Sequence, residues 1–373
     1  MGIARLYRSS PKQLQPLITT SAALIELVGR LRAATSVGLD TEFLRERTYR
    51  AELCLLQLSS PDDATCVDPL AVTDLAPLAP MLVAAHTTKV MHASRQDVEV
   101  LFPIAGLVQP LFDTQTAAAL IGLPAQVGYA ELVRRLLGRE LAKAHTRTDW
   151  SRRPLSAEQI EYALDDVRYL LPLQAQLVEK LERSGRLAWL EEEMQALTDS
   201  RHITAEPEQA WQRVKGLRSL DPARERLAQR LAAWRERRAI ERNRPRGWIL
   251  EDARLRDIVM QVPRSAAALA ALPEFPAAVL RHCGSELLEC IRDAQVPDPA
   301  PPINTRMRPD PLKSALIRKL ALLNQSIAAE LGISPEVLAT RRDLELLADG
   351  RRDLTLLRGW RRRVLGERML AAL

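Results

Sequence analysis

Asp40 and Glu42 stand two residues apart at the end of the short apolar segment Ser36-Val-Gly-Leu-Asp40. In a strand, residues i and i+2 point the same way, so both carboxylates face one side. Adjacent carboxylates repel and raise one another's pKa unless a cation neutralises them. Oxygen donors of this kind suit a hard divalent ion, Mg²⁺ or Mn²⁺. Alone, an Asp-x-Glu pair is a common surface feature, but two further segments give it weight. Asp97, in His92-Ala-Ser-Arg-Gln-Asp97, falls at a predicted helix start just after a predicted strand. Tyr162-Ala-Leu-Asp-Asp166 falls on a predicted helix after Pro154. Residues 162 and 166 are one helical turn apart and share a face, so a phenol and a carboxylate are presented together. Asp165 is rotated by about 100° from Asp166 and points elsewhere. Four carboxylates and a tyrosine, drawn from three separated segments, form a specific signal.

The elements that must position these residues are legible in outline. Ser36–Asp40, Glu52-Leu-Cys-Leu-Leu-Gln-Leu58 and Ala64-Thr-Cys-Val-Asp68 read as three strands, the last two joined by the turn Ser59-Ser-Pro-Asp-Asp63. Their short turns suggest an antiparallel meander, with Lys89-Val-Met-His92 as a fourth strand. Helical patterns follow at about 94–101, 114–121, 129–137, 156–169 and 172–184, which makes residues 1–203 an α/β domain. Beyond about residue 203 the pattern is helical. Leu227, Leu231 and Trp234 share one helix face; Leu255, Ile258, Val259 and Val262 share another. The linker Val296-Pro-Asp-Pro-Ala-Pro-Pro302 cannot continue a helix. A second helical unit follows it, with Leu312, Leu316, Leu320 and Leu323 on one stripe. The expected domains are therefore 1–203, 204–295 and 296–373.

Charge divides along the same lines. The 373 residues carry a formal net charge of +6. Residues 1–203 hold 22 basic and 25 acidic side chains, a net of −3, and residues 204–373 hold 31 and 22, a net of +9. Hydrophobic residues make up 47% of the chain and charged ones 27%, which excludes wholesale disorder. No apolar run has the length of a membrane span, and the first residues lack the apolar core of a secretory signal. Cys54, Cys66, Cys283 and Cys290 are too scattered for a disulfide framework or a structural zinc site. The expectation is a soluble intracellular protein with reduced thiols. No Gly-x-x-x-x-Gly-Lys-Ser/Thr loop is present, which argues against a fused ATPase.

Asp40-x-Glu42, Asp97 and Tyr162-x-x-x-Asp166 resemble the three exonuclease motifs of the DEDD superfamily in its tyrosine subclass. The histidine subclass would place His five residues before the last Asp, where this chain has Glu161. The strings Gly38-Leu-Asp-Thr-Glu-Phe43, His145-Thr-Arg-Thr-Asp-Trp150 and Arg153-Pro-Leu-Ser156 are similar to the bacterial ribonuclease D family. Trp211-Gln-Arg-Val-Lys-Gly216, followed by the stretch from Arg224 to Arg246, looks like the start of an HRDC module. The resemblance covers essentially the whole chain. It implies an RNase H-like exonuclease domain, a mixed sheet flanked by helices, and then two all-α HRDC-type domains. It also implies a 3′→5′ exoribonuclease that releases nucleoside monophosphates from tRNA precursors and other small structured RNAs. Such an enzyme would be a cytoplasmic monomer with no membrane partner. Two divalent ions roughly 3.5–4 Å apart would bind the attacking and leaving oxygens. By the same resemblance Asp40, Glu42 and Asp166 hold one ion, Asp40 bridges to the other, and Asp97 contributes to it. Tyr162 orients the attacking water; an ordinary pKa near ~10 makes a phenol a poor base at neutral pH.

Other residues divide between a structural and a functional reading. Asp113 is explained by helix capping, Asp68 by a turn before Pro69, and His92 by core packing. Phe43 is either a core residue or a surface for a terminal base. His145 and Arg147 are either structural or phosphate contacts. Of the arginines, Arg238 and Arg242 in the cluster Arg235 to Arg246, and Arg361 and Arg362 beside Trp360, are candidates for RNA phosphate. They motivate a division of labour in which the basic helical region holds the RNA body and the acidic site handles the 3′ end. A DNA exonuclease and an inactive nucleic-acid-binding scaffold are the competing functions.

Overall fold

Val37, Gly38 and Leu39 are shut off from water on strand β1, Ser36–Leu44. The computed structural model describes residues 17–141, 148–199, 206–217, 220–295 and 311–373. A strand covered on both faces reads as a continuous apolar run, and β1 is the middle of five. With β2 Glu52–Ser59, β3 Ala64–Val67, β4 Thr88–Met91 and β5 Leu111–Asp113, the sheet order is β3-β2-β1-β4-β5. β2 and β3 are antiparallel, pairing Leu56 with Val67 and Ser59 with Ala64. β4 runs parallel to both β1 and β5, with Gly38 opposite Val90 and Val90 opposite Phe112. The expected hairpin and fourth strand are present in a mixed sheet. β1 continues past Asp40 to Leu44, so Asp40 and Glu42 lie within the strand and not at its end.

Eight helices belong with the sheet: α1 Ser21–Leu31, α2 Ala79–Val83, α3 Arg95–Ala105, α4 Thr114–Leu120, α5 Tyr129–Leu137, α6 Ala157–Arg168, α7 Leu170–Arg183 and α8 Leu187–Leu197. α7 buries Leu170, Leu173, Leu177 and Leu181, one stripe at helical spacing. α1, α2, β5 and α8 add to the expected elements. β5 is three residues long, too short for any periodic signal. α1 did leave one: Thr20 caps it by accepting from the Ala23 N–H, and Leu24, Leu27 and Leu31 form its buried face.

The described residues divide into two compact units. One contains residues 17–43, 53–199 and 311–373; the other contains 44–52 and 206–295. The second unit is helical. Asp221 opens the helix Pro222–Glu241 by accepting from the N–H groups of Ala223 and Arg224, each at 3.0 Å. Leu227, Leu231, Leu255, Ile258, Val259 and Val262 join one core with Leu287, as their spacing requires.

Residues 311–373 depart from the expectation of a separate last domain, because they group with the nuclease unit and pack on its helix α8. The Trp360 indole stacks on Trp189 of α8, with ring centroids 4.3 Å apart and planes 8° from parallel. Its backbone N–H donates to Glu192 and its indole N–H to Glu193, each at 2.6 Å. The leucine stripe expected here also turns. On the helix Pro311–Leu331 the buried residues are Leu320, Asn324, Ile327 and Ala328, while Leu312 is 81% exposed. Asn324 is drawn inward because its amide donates to the carbonyls of Pro335 and Ala339, at 3.0 and 3.1 Å. Among the described residues no helix is long and apolar enough to cross a membrane. The linker 296–302 lies outside the described residues.

Candidate active site

Asp40 and Glu42 project from β1, and Asp166 reaches them from α6. The three carboxylates each offer an oxygen within 4.8 Å of the others. α6 is set by a reciprocal cap at Ser156. The Ser156 side chain accepts from the Gln159 N–H at 3.2 Å, and the Gln159 side chain accepts from the Ser156 N–H at 2.7 Å. Its face one turn further on carries Tyr162 and Asp166, and the phenol hydroxyl donates to the Asp166 carboxylate. Asp165 turns aside to pair with Arg168. Asp97 is in the first turn of α3 and buried, and it accepts a hydrogen bond from the Thr41 hydroxyl. It stands outside the group of three, yet its charge is felt at both Asp40 and Glu42.

Gly38 explains how α6 and α7 come so close to β1. A Cβ there would lie 2.2 Å from the Ser59 hydroxyl oxygen and 3.3 Å from Leu170. That hydroxyl is committed to the carbonyl of Val167 at the end of α6, at 2.8 Å. A side chain at position 38 would push apart the strand and helix that hold the carboxylates.

The electrostatics are those of uncompensated acids. Burial, then Asp97, Asp166 and Glu42, push the Asp40 carboxyl well above its usual range. Glu42 is pushed up to about 8 by burial, Asp166 and Asp97. Burial raises Asp166 to about 7 and Asp97 to about 6, each restrained by its hydrogen bond from Tyr162 or Thr41. Such a set is ready for multivalent cations, which relieve the repulsion and keep every carboxylate ionised. These acids give the metal-free fold a definite pH response. The folded state holds more protons than the unfolded chain, so their stabilising effect is complete below about pH 4. It is lost as pH rises through 6 to 8. Metal-free protein is therefore expected to melt lower at pH 8.5 than at pH 5.5, by several degrees. The rise in Tm on adding Mn²⁺ is expected to be larger at pH 8.5. A pH-independent Mn²⁺ response in differential scanning fluorimetry would contradict this.

The Tyr162 ring is backed by Trp150, with centroids 6.1 Å apart and planes at 27°. Trp150 is fixed by Arg153, a clamp with no local sequence signal. The Arg153 guanidinium donates to both oxygens of Asp68 at 2.6 and 2.7 Å, and to the carbonyls of Cys54 and Trp150, each at 2.7 Å. This pairing lowers the pKa of the Asp68 carboxyl, against the effect of its burial. Asp68 is thus a turn residue, accepting from the Leu70 N–H at 2.9 Å, and an ion-pair partner too. Arg153→Ala strands a buried carboxylate and is expected to cost about 3 kcal/mol. Urea unfolding at pH 7 measures it, and a loss under about 1 kcal/mol would refute the clamp.

Asp113 and His92 are accounted for structurally. Asp113 caps α4 by accepting from the Thr116 N–H at 2.9 Å, and it also accepts from Ser94. His92 contacts the Thr114 hydroxyl at 2.8 Å and the Val127 carbonyl at 3.1 Å, and burial lowers its pKa. Phe43 is half-buried on β1, one residue past Glu42. His145 and Arg147 lie outside the described residues. The arginines expected to meet phosphate separate sharply. Arg238 is spent on Glu286 at 2.6 Å and sits largely buried over the Trp234 ring. Arg361 pairs with Glu193, donates to the Val337 carbonyl at 2.9 Å and lies over the Trp360 ring. Both are structural, because each is held by a carboxylate and an indole. Arg362 stays exposed, 3.7 Å from Glu367, and Arg242 is exposed.

Residues 16–182 match the family model described as 3′-5′ exonuclease, and residues 224–291 match the HRDC domain model. Ribonuclease D of Nitrobacter hamburgensis is 38% identical over 360 residues, which is 95% of this chain and 94% of that protein. Ribonuclease D of Gluconacetobacter diazotrophicus is 40% identical over 361 residues, 95% of this chain and 92% of that one. The crystal structure of Escherichia coli RNase D, described as an exoribonuclease involved in structured RNA processing, superposes with a TM-score of 0.85. It is 33% identical, and the match covers 97% of this chain and 99% of that one.

Proposed function

Because the chain belongs to the ribonuclease D family and is a 3′→5′ exoribonuclease, we propose that its substrates are tRNA precursors and other small structured RNAs. Their 3′ ends are shortened to nucleoside 5′-monophosphates. The observation that carries the site assignment is the meeting of Asp40, Glu42 and Asp166 within 4.8 Å, with the Tyr162 hydroxyl on Asp166. The donor set fits two hard divalent ions, Mg²⁺ or Mn²⁺: it is all carboxylate, and its members carry raised pKa values that cations would bring down. Asp40, Glu42 and Asp166 would hold one ion, and Asp40 and Asp97 would serve the second. Bound there, the ions would supply Lewis-acid stabilisation of the charge developing on the phosphoryl oxygens and a more acidic water.

The protein's own groups do the rest. Thr41 orients the Asp97 carboxylate by donating its hydroxyl to one oxygen. Burial and the Asp166 charge raise the Tyr162 pKa, so its hydroxyl stays protonated and acts by positioning the water, not by removing its proton. The water oxygen bonds to phosphorus as the bond to the 3′-oxygen breaks, and the shortened RNA keeps a free 3′-hydroxyl. Cys54, Cys66, Cys283 and Cys290 form no disulfide, which suits a cytoplasmic protein, and we take the working form to be a monomer. Matched RNA and DNA oligonucleotides with free or blocked 3′ ends, incubated with Mg²⁺ or with EDTA, test the reading. Mg²⁺-dependent release of 5′-monophosphates from free-ended RNA is expected. Degradation of blocked RNA, or of DNA alone, would overturn it.

A further inference from the structure

The arginine cluster of the helical unit is mostly consumed by its own carboxylates. Arg235 pairs with Asp252, Arg237 with Glu208, Arg238 with Glu286 and Arg246 with Glu236. Arg242 and Arg244 are left: both are exposed, and among the described residues neither has a carboxylate partner. They flank Asn243, which adopts a left-handed conformation with φ of 46°. The Asn243 side-chain oxygen accepts from the backbone N–H groups of Tyr49 and Arg50, each at 3.2 Å. The Tyr49 hydroxyl donates to Glu236, and the Arg246 guanidinium lies 5.0 Å from the Tyr49 ring centroid. A segment nearly two hundred residues away in sequence is thereby pinned beside Arg242 and Arg244. It brings Arg50, which is also exposed and without a carboxylate partner among the described residues. Residues 45–50 and 241–246 together carry six arginines against Glu46 and Glu241.

Beside this charge stands Trp248, whose indole is 59% exposed. The Arg244 guanidinium lies 5.6 Å from its ring centroid. An exposed indole next to unpaired guanidinium groups combines a stacking face with phosphate-binding charge. A protein partner of acidic surface would need the charge but not the open aromatic face. An unpaired polynucleotide uses both. We propose that Arg50, Arg242, Arg244 and Trp248 form a binding patch for an unpaired stretch of the substrate RNA, with Trp248 stacking on a base. The proposal rests on the exoribonuclease reading for the identity of the polynucleotide.

The full chain is tested in EDTA, by fluorescence anisotropy with a labelled single-stranded RNA of about twenty nucleotides across a salt series. Arg50→Gln, Arg242→Gln and Arg244→Gln combined are expected to weaken binding and make the log K against log salt line shallower by about 2, at about 0.7 per phosphate contact. Trp248→Ala is expected to lose at least about fivefold, and Trp248→Phe to recover most of it, since stacking tolerates another aromatic ring. Hydrolysis of a dinucleotide in Mg²⁺ is expected to stay at the wild-type rate in all of them. A combined variant that keeps wild-type affinity and slope overturns the patch and leaves the nuclease reading intact. So does an equal loss when Arg318, Arg341 and Arg342 are replaced instead. A wild-type protein that neither binds the RNA nor hydrolyses the dinucleotide overturns both.

Discussion

Asp40→Asn is expected to lower the rate of RNA hydrolysis by about a thousandfold or more while leaving the protein folded. Asp40 is the member of the cluster whose ionisation feels all three other acids. On the proposed site, replacing its carboxylate by an amide removes a cation ligand in the place where the charge is most concentrated. It also removes a source of repulsion, so a second readout moves the other way. In EDTA at pH 8 the variant is expected to melt at the wild-type temperature or above, because the acids that remain are less crowded. Lost activity with gained stability is the signature of a residue kept for function at a cost to the fold. Asp166→Asn is expected to behave alike. A folded Asp40→Asn, Asp166→Asn protein with near-normal Mg²⁺-dependent turnover would sink the site assignment.

The second large effect is that of Tyr162→Phe, expected to lower kcat by about a hundredfold with KM for a short oligonucleotide little changed. The Phe ring keeps the contact with Trp150 and loses only the hydroxyl. That hydroxyl restrains the Asp166 pKa by donating to the carboxylate. Without it Asp166 takes up protons at higher pH, so Mn²⁺ binding is expected to weaken more at pH 6.5 than at pH 8.5. Calorimetry at the two pH values checks this. A wild-type kcat would mean that the water is positioned by another group. A collapse of Mn²⁺ affinity at both pH values would make Tyr162 a structural support for the metal ligands.

The carboxylates were legible because their spacing matches two element periods: two residues on a strand and four on a helix. The helical core was legible for the same reason, and Leu227, Leu255 and Ile258 are fully buried as their spacing requires. What escaped is whatever depends on partners distant in sequence. Lys89 looks like a strand-end surface residue. It is fully buried, donating to the carbonyls of Ala84, Thr87 and Gln109 at 3.1, 2.6 and 2.5 Å. Arg153 and Asp68 are 85 residues apart, and nothing local announces their pairing. The arginine clusters misled in the opposite sense. A tally of charge treats Arg361 and Arg242 alike, but Glu193 neutralises one and nothing among the described residues neutralises the other.

The docking of residues 311–373 on the nuclease helices also has a consequence in time. Glu192 leaves the ribosome 168 residues ahead of Trp360, whose backbone it accepts from. At roughly 5–20 residues per second that is an interval of about ten to thirty seconds, during which the Trp189 ring has no partner to stack on. Residues 206–295 of the helical unit are synthesised within that interval. The nuclease unit is completed only after the helical one, so a messenger truncated after residue 295 yields a complete helical unit attached to an unfinished nuclease.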